Sequence, residues 1–299
     1  MKDERKEINR LKKEKNAVIL AHNYQLPEVQ QIADYVGDSF GLSKKVAEMD
    51  VERVVFCGVE FMAETAKILS PEKTVLLPEP DAGCPLAEMI TVEDLLELKE
   101  KHPQAAVVAY VNSTARVKAE SDICCTSSSA VRVVNSLDEE EVIFVPDKNL
   151  AHYVDFRTEK KIIFPEGNCL THHRVRAKDV ELIREKYPET PVAVHPECRP
   201  EVVKRADYVG STAGILDYAK STGSDVMIVG TEMGIFHRLE NENPEIKFYL
   251  LSPGLVCLNM KKINMEKIIR SLQEDRAIVE VPENIAKSAR SSLERMLEV

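Results

Sequence analysis

The chain repeats itself three times, and this limits the folds open to it more than any other feature. "NAVILAHNY" (16–24), "AAVVAYVNS" (105–113) and "TPVAVHPEC" (190–198) are apolar strands that stop at polar residues. Downstream lie "VERVVFCGVEFMAETAKIL", "EEVIFVPDKNLAHYV" and "SDVMIVGTEMGIFHRL", each a strand, a short turn and a helix. A third series, "KTVLLPEPDAGC", "KKIIFPEGNC" and "IKFYLLSPGLVC", ends on a cysteine. "TVEDLLELKEKHP", "AKDVELIREKYP" and "NMEKIIRSLQED" are helical by pattern, and Thr91 with Asp94 reads as a capping box. The landmarks recur in order at a period of roughly 85–89 residues.

Each unit reads as strand, helix, strand, helix, strand, helix, which implies parallel strands joined by right-handed crossovers. The expected fold is α/β: three pseudo-equivalent α/β/α domains with short parallel sheets around an approximate threefold axis. A single open sheet of nine or more strands is the alternative. The repeats divide the chain into 17–104, 105–189 and 190–276. A charged N-terminal packing helix (1–16) and a C-terminal one (277–299) fall outside the repeat.

The period also sorts the seven cysteines. Cys84, Cys169 and Cys257 share one place, the loop after the third strand series, at spacings of 85 and 88 residues. Ligand sites in parallel sheets form beyond the carboxyl ends of the strands. Three thiolates meeting there make a metal or iron–sulfur site. Structural zinc usually takes four protein ligands, and catalytic zinc favours histidine. A [4Fe–4S] cluster on three cysteines would leave one iron open as a Lewis acid. Cys57 lies within a strand and reads as core. Cys124, Cys125 and Cys198 have no counterparts in the other units.

A second register aligns Asp34, Asp122 and Asp207. Five residues later come the hydroxyls of Ser39, Ser127 and Thr212, each just before a helical pattern. The plain reading of these hydroxyls is helix N-caps. Three helix starts on one axis would also form an anion site without lysine or arginine. The first strands end on His22, Asn23 and Tyr24, on Tyr110, Asn112 and Ser113, and on His195 and Glu197. His22 and Tyr24 are expected to face the axis, as is at least one of His172 and His173. Glu197 either acts there or pairs with a cation such as Arg199.

The charge of −10 argues against a nucleic-acid partner, and no apolar run is long enough to span a bilayer. With no signal peptide, the expected location is the cytoplasm, where thiols stay reduced.

The segments "LAHNYQLPEVQQIADYVGDS", "VVFCGVEFMAETAKIL", "YVNSTARVKA", "VPDKNLAHYV" and "HPECRPEVVKRADYVGST", with Cys84, Cys169 and Cys257, resemble the quinolinate synthase family, the A protein of de novo NAD biosynthesis. The resemblance covers nearly the whole chain. It implies an oxygen-sensitive [4Fe–4S] cluster on the three cysteines. It also implies condensation of iminoaspartate with dihydroxyacetone phosphate to quinolinate, phosphate and two waters. Functional coupling to the enzyme that makes iminoaspartate follows from the same likeness. The implied site residues are His22, Tyr24, Ser39, Tyr110, Asn112, Ser127, His172, His195, Glu197 and Thr212. His22, Tyr24 and Glu197 are suited to proton transfer. The segment "DICCTSSSA" departs from the pattern with two cysteines and a serine run. The competing readings are an aconitase-type iron–sulfur hydro-lyase and a non-enzymatic iron–sulfur sensor.

Overall fold

The computed structural model describes residues 2–299; Met1, which opens the expected N-terminal segment, lies outside them. Twelve strands among the described residues form three four-stranded sheets. The first holds β1 (Ala17–His22), β2 (Tyr35–Gly37), β3 (Arg53–Cys57) and β4 (Thr74–Leu76) in the order β2-β1-β3-β4. β5 (Ala106–Tyr110), β6 (Ile123–Cys125), β7 (Glu141–Val145) and β8 (Lys161–Ile163) form the second, ordered β6-β5-β7-β8. The third orders β9 (Val192–Val194), β10 (Tyr208–Val209), β11 (Val226–Gly230) and β12 (Lys247–Leu250) as β10-β9-β11-β12. Every pairing is parallel. One arrangement thus occurs three times, and the single open sheet is excluded.

The strands read as unbroken apolar runs because both faces are covered. In the third sheet Val192, Val194 and Ile228 enter one apolar cluster, and Ala193, Met227 and Val229 enter another on the opposite face. Helices Val92–Lys101, Ala177–Lys186 and Met265–Glu274 stand where the pattern places them. The capping box is present: the Asp94 N–H donates to Thr91 Oγ1 at 3.1 Å, and the Thr91 N–H donates to Asp94 Oδ2 at 2.9 Å.

Each unit carries one strand more than the sequence pattern suggests. β2, β6 and β10 have only two or three residues, too few for a periodic signal. An aspartate clips each to the central strand. Asp34 Oδ2 accepts from the Ile19 N–H at 2.8 Å, and the Asp34 N–H donates to the Ile19 carbonyl at 2.8 Å. Asp122 does the same to Val107 at 2.7 and 3.0 Å, and Asp207 to Val192 at 2.7 and 2.9 Å. The aspartates recur in register because each closes this two-way bond.

Both end segments pack on the repeats. The helix Lys2–Glu14 lies against Met265–Glu274. Residues 277–279 run antiparallel to β4, with hydrogen bonds from Leu77 N to Ala277 O and from Val279 N to Val75 O. The helix Glu283–Glu298 covers β6 and the helices Glu60–Leu69 and Ala115–Ala119. There Arg290 Nε donates to the Ile68 carbonyl, and Ser292 Oγ donates to the Lys118 carbonyl at 2.8 Å.

Replacing Asp122 with Ala removes a carboxylate hydrogen bond to the Val107 amide. Stability should fall by about 1.5–3 kcal/mol, the range for a charged hydrogen bond. Asp122→Asn keeps one acceptor and should fall by less. Urea midpoints of the two variants test the clip; equal stability of Asp122→Ala and wild type would dismiss it.

Candidate active site

The carboxyl ends of all three sheets open on one cavity of about 280 Å³. β1 delivers His22 and, two residues later, Tyr24. β5 delivers Tyr110 and Asn112, and the turn after β9 delivers His195 and Glu197. Ser39 and Thr212, which open the helices after β2 and β10, and Ser127, in the loop after β6, line the cavity. Cys84, Cys169 and Cys257 line it from the loops after β4, β8 and β12. His172 completes the set, whereas His173 turns away to within 3.0 Å of Asn149 Nδ2.

His22 and His195 are held alike. In each, Nδ1 accepts from the backbone N–H two residues on, Tyr24 at 3.2 Å and Glu197 at 3.3 Å. A neutral ring that accepts at Nδ1 carries its proton on Nε2. His195 Nε2 lies 3.2 Å from Ser127 Oγ. Burial pushes both imidazoles down to about 3, so they are neutral at physiological pH.

Glu197 is the buried acid of the site. Burial alone would raise its carboxyl, but hydrogen bonds from His172 and Tyr110 hold it below the ordinary carboxylate range. Its Oε2 is 2.6 Å from His172 Nδ1, and its Oε1 accepts from Asn112 Nδ2 at 3.4 Å. The pairing with Arg199 does not occur; Arg199 Nε donates to the His173 carbonyl. The imidazoles win because the turn after β9 aims Glu197 into the cavity. Tyr24 and Tyr110 are raised well above their ordinary values by burial and by Glu197, so both phenols keep their protons.

The N-cap reading of the three hydroxyls fails. Asp38 caps the helix Ser39–Glu48 by accepting from the Gly41 N–H at 2.8 Å. Ser211 caps Thr212–Ser221 by accepting from Gly214 N. In the second unit Ser129 holds the cap position. Each cap lies one residue before, or two after, the expected hydroxyl. Thr212 Oγ1 instead accepts from Asn23 Nδ2 at 3.1 Å, and Arg238 Nη1 donates to Asn23 Oδ1 at 3.0 Å. The cavity is also not free of basic side chains, since Arg174 lines it.

Tyr24 is pinned from the third unit. A Cβ on Gly234 would fall 2.6 Å from the Tyr24 carbonyl carbon, so only glycine permits this approach. Gln30 Nε2 ties the two segments by donating to the carbonyls of Asn23, Gln25 and Gly234. Sequence reasoning missed Thr231, whose Oγ1 is 2.6 Å from Tyr24 Oη and 2.9 Å from His172 Nε2. It also missed Lys118, fully buried behind the cavity wall, whose Nζ donates to the Ser113 carbonyl at 2.5 Å.

The cysteine loops are anchored unequally. The Cys169 N–H donates to buried Asp147 at 2.8 Å and the Cys257 N–H to buried Glu232 at 3.0 Å. Lys261 Nζ pairs with Glu232 at 3.0 Å. Backbone bonds to the residue two before each cysteine (Glu60 to Ala82, Lys148 to Gly167, Met233 to Leu255) show that Val59 holds this place in the first unit. Valine offers no acceptor. Cys57 is core, as expected, and Cys124, Cys125 and Cys198 are equally buried.

The buried histidines give the fold an acid dependence. Their ordinary value is 6.5 and their folded value about 3, so below pH 6.5 the unfolded chain binds protons that the native chain refuses. Stability is complete above pH 6.5 and falls as pH drops toward 3, by about 1.4 kcal/mol per histidine per pH unit. His195→Gln cannot titrate and should show a shallower fall. Urea midpoints of metal-free protein from pH 7 to 5 check this; parallel curves would show that His195 is not held neutral.

Residues 6–298 match the family described as NadA: Quinolinate synthetase A protein. The chain is 55% identical over 294 residues to a protein named quinolinate synthase from Alkaliphilus metalliredigens, covering 98% of this chain and 97% of that one. A quinolinate synthase from Methanosarcina barkeri is 54% identical, covering 98% and 96%, and one from Geobacter metallireducens is 52% identical, covering 99% and 97%. Nothing in these matches favours a hydro-lyase or a sensor. No helix among the described residues is long and apolar enough to cross a membrane. With this cavity and these relatives, the chain belongs to the quinolinate synthase family, enzymes of NAD biosynthesis.

Proposed function

We propose that the chain condenses iminoaspartate with dihydroxyacetone phosphate to give quinolinate, phosphate and two waters, in a cavity that also holds a [4Fe–4S] cluster on Cys84, Cys169 and Cys257. One observation carries this reading: three cysteines in repeat register, one from each unit, line the same cavity as the candidate acids and bases. The donor set fits such a group. All three thiols are free, and burial pushes each up, Cys84 to about 12, so they would ionise only against a cation. Cys169, His172 and Glu197 also have donor atoms within 4.8 Å of one another, which supports metal chemistry beside the proton-transfer groups. When bound, the cluster supplies an iron without a protein thiolate, a Lewis acid for polarising a leaving hydroxyl.

The chain's own residues supply the rest. Helices Ser39–Glu48 and Thr212–Ser221 begin at the cavity, where the positive dipole end favours phosphate and carboxylate. Ser39, Ser127, Thr212 and Arg174 add donors for these anions. Asn112 Oδ1 is buried without a hydrogen-bond partner, an acceptor suited to a substrate N–H or O–H. His22 and His195 donate from Nε2. Glu197, ionised, takes protons, and the phenol of Tyr24 gives them. The instability of iminoaspartate in water favours coupling to the enzyme that makes it. Free thiols and small anionic substrates suit the cytoplasm.

The reading is tested by quinolinate and phosphate formation from the two substrates under anaerobic conditions. Cluster-loaded enzyme that yields neither product would overturn it. Reconstituted wild type should hold about four irons per chain. Cys84→Ala, Cys169→Ala and Cys257→Ala should each lose the cluster and the activity, whereas Cys57→Ala should keep both. A full iron complement in any of the three would remove that cysteine from the ligand set.

Tyr24→Phe deletes only the phenol, and Glu197→Gln only the charge. Each should retain iron and bind quinolinate while turnover falls at least about 100-fold, the low end for general acid–base catalysis. Single-turnover assays on loaded enzyme decide; near-normal rates in either variant would take that residue out of the mechanism.

A further inference from the structure

The first cysteine loop lacks the anchor that the other two have. Buried Asp147 gives one oxygen to the Leu150 N–H at the start of its own helix and the other to the Cys169 N–H, each at 2.8 Å. Buried Glu232 divides its oxygens likewise, between the Gly234 N–H at 2.7 Å and the Cys257 N–H at 3.0 Å. Val59 stands in their place before the helix Glu60–Leu69 and has no oxygen to give.

The hold on the Cys84 loop comes instead from the third unit. Asn259 Nδ2 donates to the Gly83 carbonyl at 2.8 Å, across 176 positions of sequence. Lys262 Nζ donates to the Asp81 carbonyl of the same loop. Asparagine is a favoured helix cap, yet Asn259 opens the turn Met260–Lys262 without a side-chain cap bond. Its carboxamide reaches across to the other loop, while its backbone N–H hydrogen-bonds the Cys257 sulfur. One residue thus touches the thiol of one cysteine and the carbonyl that precedes another. The repeat does not provide this link. Leu86 and Thr171 stand two residues after the other cysteines, and neither carries a side-chain amide.

Three thiolates bind one group well only if their loops already stand at the right separation. Groups behind metal ligands supply that order, and losing one typically costs about 10–100-fold in metal affinity. We propose that Asn259 is a positioning residue of the cluster site: its amide, donated to the Gly83 carbonyl, does for the first cysteine loop what Asp147 and Glu232 do for the other two, and so fixes Cys84 relative to Cys257. This rests on the cluster reading of the three cysteines.

The test reads metal binding without turnover. Co²⁺ is titrated into cluster-free protein under anaerobic conditions and followed by its thiolate-to-cobalt absorption. Asn259→Ala should raise the Kd for Co²⁺ at least about tenfold, and the reconstituted variant should lose iron to a chelator at least about tenfold faster than wild type. Asn259→Asp keeps the shape but turns an acceptor toward the Gly83 carbonyl, and should behave in the same way. In a Cys84→Ala background Asn259→Ala should change the Co²⁺ Kd by less than about threefold, whereas in a Cys169→Ala background most of its effect should remain. Urea midpoints of the cluster-free variants should stay close to wild type. Unchanged Kd and iron loss in both variants, or an undiminished effect in the Cys84→Ala background, would overturn the proposal. So would loss of the urea transition in both variants, which would assign Asn259 to folding. Wild type that takes up neither cobalt nor iron would remove the cluster reading and this proposal with it. Wild type that holds iron beside variants that hold it equally well would remove the role of Asn259 alone.

Discussion

The site depends first on a carboxylate bonded to a strand backbone. Asp34, Asp122 and Asp207 each grip one residue of the central strand through both its N–H and its carbonyl. The grip lays a very short edge strand parallel to its neighbour, which its own few ladder bonds would hold poorly. It also fixes where the chain leaves the sheet. Five residues on, a serine or threonine, with a helix start at or just beyond it, then stands at the same end as the polar terminus of the first strand. Three such ends facing one another make a cavity, and the candidate side chains reach it from the strand ends and from the loops and helices that follow them.

The period, the helices and the cysteine register were legible because parallel strands covered on both faces leave continuous apolar runs, and α-helical closers leave their own pattern. β10, at two residues, leaves neither. The hydroxyls and the caps were confused because they are only one or two positions apart, and sequence alone does not show which oxygen turns back to the helix. Partners across units were not legible at all. Glu197 meets His172 and Asn112, and Thr231 meets Tyr24 207 positions away, through contacts that no local pattern encodes. A signal for Thr231 does exist in the aligned repeats: it stands where glycine and proline stand elsewhere.

The repeat builds the frame, and its departures build the chemistry. At Val59, Asp147 and Glu232, two units set a buried carboxylate behind a cysteine amide, and one sets a methyl-bearing side chain that itself lines the cavity. At Tyr24 and Glu197, equivalent strand ends carry a phenol that keeps its proton and a carboxylate that has lost it. A strictly threefold pocket could not hold an acid and a base in the same place. Divergence of the copies is what lets one architecture present both.

The contact of Ser292 with Lys118 has a consequence for how the protein is made. Lys118 is buried over the Phe61 ring and holds the Ser113 carbonyl, next to Asn112 in the cavity wall. Its own carbonyl is held by a hydroxyl 174 positions later, on the helix Glu283–Glu298. During synthesis the first two sheets emerge, and can pair their strands, well before that helix leaves the ribosome. The wall at Asn112 stays unbraced until then. The brace behind Asn112 therefore closes only after the third unit, with its Cys257, has been made.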